Sequence, residues 1–265
     1  MRKKLFFISL VTFLALIASC DKDNKPEQGE IAQYGIDGKT PLPDAVDIGT
    51  VVNGKKILWA SFNLGAKEEY EYGDYYAWGE SETKSDYSWG TYKYANKDIN
   101  KLTKYCPTNN QDCWDGTTEK PDGSVALYPT DDVVHVRLGG KWRMPTSEEM
   151  KALLALKTSK DHIWEGRSFF LDANGDERKD DQGNIIHCIR ITHKVTGATL
   201  FIPAAGYHRG SSTYEAPGYR GFLWTSIVDT DDPNNACILK FEGEDSEHSV
   251  ARRYLGIPVR PVSEE

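Results

Sequence analysis

Short strand-like runs divide the chain from about residue 45 to its end. Glycine, asparagine and proline bound these runs, and none of them is long enough to cross a membrane. The runs predicted as strands are 57–60, 185–192, 199–203, 221–227, 236–241 and 257–261. The polar turn at 195–198 predicts a hairpin between two of them. The pattern indicates an α+β domain with short antiparallel strands.

Two helices and one long aromatic loop complete the expected domain. A helix is predicted at 146–156, because Thr146 and Glu149 have the spacing of a capping box. A shorter helix is predicted at 131–136, with acidic residues at its positive end. The segment 70–94 combines tyrosine and tryptophan with glycine and serine. It predicts a loop whose aromatic side chains either anchor it in the core or supply contact surface.

The start of the chain has the pattern of a secretion signal, predicted at 1–19. Basic residues at 2–4 precede an apolar run at 5–17, and small residues precede Cys20. The segment IASC at 17–20 resembles the lipobox of bacterial lipoproteins, in which the cysteine receives lipid. An ordinary signal peptide with an accidental cysteine is the alternative. Residues 20–44 are predicted as the lipidated cysteine and a flexible tether, and 45–263 as the domain.

Four further cysteines fall into two groups. Cys106 and Cys113 close a polar turn, which predicts a local disulfide, with two free thiols as the alternative. Cys188 is predicted on a polar strand face and Cys237 on an apolar one, which argues weakly against a bond between them. The formal net charge is −8. An acidic chain is a poor partner for nucleic acid, so no such partner is expected.

Six segments resemble, in order, the Fibrobacter succinogenes major paralogous domain family. They span about residues 45 to 262 and are LWASFNLGA at 58–66, YGDYYAWGE at 72–80, GGKWRMPT at 139–146, FIPAAGY at 201–207, LWTS at 223–226 and GIPVRPV at 256–262. The resemblance implies a C-type-lectin-like fold of the branch that includes formylglycine-generating enzymes. Within that branch a few members are catalysts and many are binding proteins, so fold does not decide function.

Two features depart from the family pattern. The segment 158–184 is long and charged and is interpreted as a local insertion. The Cys106–Cys113 loop is the second departure. Within the segment, residues 172–176 begin like a calcium-binding loop, but Glu177 stands where that loop needs glycine and Gly183 where it needs glutamate. A solvated acidic hairpin tip is therefore favoured over a calcium site.

Catalysis and cofactors are not expected. The six histidines lack metal-ligand spacing, and no segment resembles the late active-site cysteine motif of the formylglycine-generating enzymes. The four tryptophans in the resembling segments are predicted to pack the core. Arg143 and Arg260 are predicted to hold loop carbonyls or carboxylates.

Ligand binding is predicted on loops late in the chain, where recognition falls in the resembling binders. The loop 207–220 mixes tyrosine, arginine, serine and glycine, a composition that recognition surfaces favour. The candidate residues are Tyr207, Arg209, Tyr214, Tyr219 and Arg220, with Asp229, Asn234, Glu242, Asp245 and His248 as neighbours. Ordinary surface loops without a ligand are the alternative.

The expected protein is a lipid-anchored binding protein of the cell surface. Its partner would be a glycan or a cell-surface protein, and a structural or assembly subunit of a surface complex is the alternative. An aspartate directly after the lipidated cysteine resembles the inner-membrane retention signal of enteric bacteria. A charged stretch there also resembles the surface-export signal of Bacteroidetes lipoproteins. The family resemblance favours the second reading, hence the outer membrane, facing the cell exterior.

Overall fold

Eleven short strands form four small antiparallel sheets in the residues that the computed structural model describes, 34–97, 101–107, 123–214 and 217–265. The first sheet has the order β1-β2-β11, from β1 (Ala45–Val52), β2 (Lys55–Ala60) and β11 (Val262–Glu264). Trp59 of the central strand pairs with Val46 on one side and Val262 on the other. The last strand thus lies beside the first hairpin.

The other sheets contain the later strands. One has the order β3-β4-β5, from β3 (His162–Phe169), β4 (His187–His193) and β5 (Thr199–Pro203). Another has the order β10-β9-β8, from β8 (Arg220–Val228), β9 (Asn235–Glu242) and β10 (Asp245–Arg252). The fourth is a hairpin of β6 (Tyr207–Arg209) and β7 (Ser212–Tyr214). β3 and β10 are edge strands of their sheets.

Both predicted helices are present. Helix α1 (Val133–Leu138) begins two residues later than expected, because Asp132 is its N-cap and accepts the N–H groups of Val134 and His135. Helix α2 (Ser147–Ala155) has Thr146 as its N-cap and the complete capping box with Glu149. A short 3-10 turn (Leu156–Thr158) follows α2.

Three hydrophobic clusters form the core of the described chain, and the smallest of them is built around Phe170, Ile186 and Cys188. The two larger clusters contain the buried tryptophans. One lies between α2 and the sheets and contains Trp59, Met150, Ile191 and Leu239. The other surrounds Trp78 and Trp224 and takes in the buried tyrosines of segment 70–94. That segment has no helix or strand, as expected, and Tyr76, Trp78, Tyr87, Tyr92 and Tyr94 of it are buried. The α+β class is confirmed, with mostly antiparallel strands and two short helices.

Three boundaries differ from the sequence prediction. Residues 257–261 are not a strand, and Pro258 and Pro261 have no N–H to donate to a ladder. The candidates Asp245 and His248, expected on loops late in the chain, lie instead on the strand β10. Its polar side chains are tolerated because it is an edge strand. Segment 158–184 contains β3, so it is built into a sheet and is not only a loop.

The folded domain also includes residues before position 45. In segment 34–44, assigned to the tether, the N–H groups of Ile36 and Asp37 donate to the carbonyls of Leu138 and Arg137. These are carbonyls of the last turn of α1, which lack partners inside the helix. The carboxylate of Asp37 also lies 3.4 Å from the Arg137 guanidinium. This segment therefore caps α1 and belongs to the folded unit, while residues 1–33, including Cys20, lie outside the described residues.

Candidate functional site

The late residues predicted as one binding site lie in separate places. Asp229 and Asn234 are in the turn between β8 and β9, whereas Arg220, Glu242 and Asp245 are at the opposite end of that sheet. The length of β8 separates the two ends by roughly 26 Å. The prediction of a single continuous site is therefore wrong. The sequence is loop-like both at the β8–β9 turn and at the other end of these strands. Only the strand register shows that the two places lie at opposite ends of the sheet.

The β8–β9 turn has a structural role. Asn234 is only 8% exposed, and its side-chain amide donates to Asp232. Its carbonyl accepts the N–H of Arg253, whose guanidinium is buried over the Trp78 ring at 4.6 Å. Asp229 accepts the N–H of Asp231 inside the same turn. These contacts hold the turn against the aromatic core and leave little of it for a ligand.

Among the remaining predicted residues, some pack against the protein and others are exposed to solvent. Tyr207 packs on Phe222 with ring centroids 5.0 Å apart, and Arg209 is exposed on β6. The side chain of Tyr214 lies outside what the structure describes. Asp245 is exposed at the start of β10. His248 is half-buried on β10, on the side that packs against α2.

At the other end of the sheet, Arg220 and Glu242 form an ion pair. Arg220 Nε lies 2.5 Å from a Glu242 oxygen, and this bond holds the pKa of the Glu242 carboxyl below its usual range. The pair is formally neutral. Tyr219 beside it is 55% exposed. Of the ten predicted residues, Tyr219 is the one that also lines the smaller pocket described next.

A groove of about 630 Å³ with an aromatic lining lies beside the edge strand β3. Trp164, Phe169, Phe170 and Phe201 form its aromatic wall, with Leu171 at the rim. Phe170 is buried and packs on Phe201 at 5.1 Å, whereas Phe169 is 39% exposed. The wall is thus anchored in the protein at Phe170 and offers the Phe169 ring to a ligand.

Charged groups line the same groove. Glu165 and Arg190 face each other across β3 and β4, with bonds of 2.5 and 2.6 Å from Arg190 to the two carboxylate oxygens. This fork-to-fork arrangement raises the pKa of Arg190 and fixes both side chains. Glu69 is exposed at one edge of the groove, and partial desolvation by the surrounding protein raises the pKa of its carboxyl. Glu244 and Arg167 complete the charged lining.

A smaller pocket of about 140 Å³ adjoins the groove and shares Arg167 with it. Its lining also includes His187, Cys188, Tyr219 and the glycines 166, 218 and 243. Burial raises the pKa of the Cys188 thiol to about 12, so the thiol is neutral at physiological pH. The lining contains no carboxylate side chain. Arg167 is therefore the charged group that this pocket presents.

Two glycines let the β9–β10 turn approach β3 closely enough to form both cavities. A Cβ on Gly166 would lie 2.5 Å from the carbonyl oxygen of Gly243, so a side chain there would push the turn away. Gly243 has φ +58°, a conformation that favours glycine. The N–H of Gly166 donates to Glu244 at 3.3 Å, and Lys157 donates to the Glu244 carbonyl at 2.5 Å. The turn is thus held from two sides.

Sequence reasoning missed this groove. Its residues Trp164, Glu165, Arg167, Phe169 and Phe170 all lie in the segment interpreted as a local insertion. The available signal was a tryptophan and two phenylalanines inside a stretch that is otherwise charged. No local pattern in the sequence shows that this segment packs against the distant β9–β10 turn.

The arginines and tryptophans of the resembling segments hold the fold, as predicted. Arg260 is fully buried and donates to Asn63 Oδ1 and to the carbonyls of Ala60 and Phe201, at 2.8 to 2.9 Å. Arg143 donates to both oxygens of Glu149. Trp59, Trp78, Trp142 and Trp224 are all buried. These segments therefore connect to one another through the core.

The acidic tip of segment 158–184 uses its carboxylates to form turns. Asp172 accepts the N–H groups of Asn174 and Asp176, and Asp180 accepts those of Gln182 and Asn184. Tyr72 donates its hydroxyl to Asp180 at 3.2 Å. In the described ranges, no three or more His, Cys, Asp or Glu side chains come together as metal ligands. This arrangement is typical of the hairpin tip that the sequence favoured.

The described free cysteines are Cys188 and Cys237. Both are buried and neither is bonded to the other, as the sequence argued. Cys188 was expected on a polar strand face, and this expectation is wrong. The residue is buried in the central strand of its sheet. Cys113 lies outside the described residues, so its bond to Cys106 stays a prediction.

Two broader findings bear on function. None of the helices in the described ranges has the length and apolar character needed to span a bilayer. In comparisons with protein-family models, curated proteins and solved structures, nothing matched the chain. The site is therefore interpreted from its own geometry.

Proposed function

We propose that the chain is a lipid-anchored outer-membrane protein with a C-type-lectin-like domain that binds a glycan or a cell-surface protein. The anchor rests on the sequence signal that ends at Cys20. The fold rests on the six resembling segments, together with small antiparallel sheets and two short helices. The proposal that the protein faces the cell exterior rests on the charged stretch after Cys20, which resembles a surface-export signal.

The groove beside β3 carries the binding part of the proposal. It combines a half-exposed aromatic ring, Phe169, with a fixed ion pair and with Glu69 and Arg167 at its edges. Ligand sites are typically concave and aromatic, with a few well-placed polar groups that give orientation. The β6–β7 hairpin and the β8–β9 turn contribute no residue to the lining of this groove.

A structural subunit of a surface complex is the second candidate. Ile163 and Phe169 are exposed apolar side chains on the edge strand β3, and Leu171 follows them. Exposed apolar residues along an open strand edge favour contact with another protein. A stable assembly would cover these residues permanently, whereas a binding protein would leave the groove open to a soluble ligand.

An array experiment separates the two candidates. The full-length protein, purified in detergent, is applied to glycans and cell-surface proteins, with heat-denatured protein as the control. Saturable binding to one chemical class by the folded protein only would support the binding proposal. No binding to any probe, with recovery of a single stoichiometric complex after cross-linking on intact cells, would support the assembly subunit instead.

A further inference from the structure

Arg167 is a cation without a protein partner in a concave site. It lines both the groove and the adjoining pocket, and the described residues give its guanidinium no ion pair or side-chain hydrogen bond. Neighbouring arginines differ: Arg190 is held by Glu165 and Arg220 by Glu242. A guanidinium has five N–H donors in a fixed fork, a geometry that matches a carboxylate.

Arg167 is exposed, and the stem of its side chain lies against the β9–β10 turn. It crosses the β9–β10 turn so closely that a Cβ on Gly243 would lie 3.1 Å from its Nε atom. The turn is itself held against Gly166 and by Lys157. A donor whose stem is held by packing loses less conformational freedom on binding than a free surface arginine.

The surroundings of Arg167 favour an anion that carries hydroxyl groups. The adjoining pocket has no carboxylate in its own lining, and the carboxylates that act on its Cys188, Glu69 and Glu165, line the groove, where Glu165 is paired with Arg190. His187 Nδ1 is buried there and has no hydrogen-bond partner among the described residues. On the groove side, Glu69 and Glu244 would repel a ligand rich in carboxylates but can accept hydrogen bonds from hydroxyls. The exposed Phe169 ring offers a flat apolar surface to the C–H face of a sugar ring.

We infer that the ligand is an acidic saccharide, whose carboxylate binds Arg167 while its pyranose ring rests on Phe169. This inference rests on the proposed binding function and names its ligand class. It distinguishes the saccharide from an acidic peptide, because a peptide of that kind brings several carboxylates and few hydroxyls to a groove that already holds Glu69 and Glu244.

Isothermal titration of the full-length protein in detergent tests the inference with matched probes. These are sialyllactose against lactose, galacturonic acid against galactose, and an acidic peptide. At least one acid should bind about tenfold or more tightly than its neutral counterpart, as a charge-assisted bond predicts. Arg167→Gln should remove that advantage and Arg167→Lys should keep part of it. Lys141→Gln, at an exposed lysine that lines neither cavity, should leave the affinity unchanged.

Several results would overturn the inference. They are equal affinity for acid and neutral saccharides, no binding of either acid, an unchanged affinity in Arg167→Gln, or binding of the acidic peptide alone. The melting temperature of each variant shows that loss of binding is not loss of folding. If the arrays yield a ligand whose affinity does not depend on Arg167, the ligand class is wrong and the proposed function stands. If the arrays yield no ligand, the proposed function itself fails.

Discussion

Trp78 and Trp224 tie two distant segments together through reciprocal hydrogen bonds. The Trp78 indole donates to the carbonyl of Thr225, and the Trp224 indole donates to the carbonyl of Tyr76, each at 2.8 Å. Each tryptophan thus bonds the backbone next to the other. Both side chains are fully buried, so the segment 70–94 is fixed to β8 without any regular pairing between them.

Replacing Trp78 with Phe should destabilise the protein through this link. The Thr225 carbonyl would stay buried and lose its donor, which costs about 1 to 3 kcal/mol. Urea denaturation measures the free energy of unfolding. Trp164→Phe is a control for the loss of an indole N–H, because the Trp164 Nε1 atom is buried and has no hydrogen-bond partner among the described residues. An equal loss in both variants would show that ring volume and not the hydrogen bond is responsible.

Asp37 should contribute to stability in a defined pH range. Burial opposes its charge, but hydrogen bonds from Thr40 and Lys39 and the charge of Arg137 outweigh it and hold its pKa at about 2. Because the folded pKa lies below the unfolded value, the contribution is present above about pH 4 and is lost as the pH falls toward 2. Asp37→Asn should cost about 2 kcal/mol at pH 7.

Chemical denaturation of the parent and of Asp37→Asn at several pH values checks this expectation. The difference between them should shrink as the pH falls from 4 to 2. A constant difference over that range would mean that Asp37 acts through its turn geometry and not through its charge. The same variant tests whether segment 34–44 belongs to the folded unit, since a flexible tether would show no effect.

His248 should make the protein less stable in weak acid. Burial and the nearby charge of Lys151 on α2 lower its pKa, and its Nε2 atom has no hydrogen-bond partner in the part of the chain that the structure describes. The unfolded state therefore binds more protons than the folded state once the pH falls below about 6.5. Stability should decline between pH 7 and pH 5, and His248→Gln should reduce that decline. An identical pH dependence in the parent and the variant, measured by urea denaturation, would contradict the assignment.

The lipid anchor can be tested apart from the folded domain. Cys20→Ala should leave the protein unprocessed or release it from membranes, because no other segment is predicted to anchor it. Detergent phase partitioning measures this. Cys20→Ser is a second variant with nearly the same size, and it should behave in the same way. If both variants enter the detergent phase as fully as the parent, Cys20 is not the site of lipid attachment.

Local signals in the sequence were sufficient for the elements that depend on neighbouring residues. Thr146 and Glu149 are three positions apart, and their capping box fixes the start of α2. The hairpin between β4 and β5 has its expected turn. Strand β10 was missed because its apolar residues are few, and only its pairing with β9 makes it a strand.

The groove could not be predicted for a different reason. It depends on the contact between Gly166 and Gly243, which no local pattern reports. The ten residues proposed from loop composition share the chemistry of binding surfaces, but Asn234 is buried and Arg220 is paired. Composition indicates which side chains are able to bind, and the register of the sheet decides which of them face one cavity.

The affinity of the Phe169→Ala variant for a ligand found on the arrays tests the central claim most directly. Phe169 is half-exposed on the groove, so its truncation should leave the melting temperature nearly unchanged. Val195→Ala is the control, since Val195 is 81% exposed at the hairpin tip of the same sheet and lies outside the groove lining. A site beside β3 predicts a loss of affinity of about tenfold or more in Phe169→Ala and none in Val195→Ala. Unchanged affinity in Phe169→Ala, with folding intact, would place the ligand elsewhere and contradict the account.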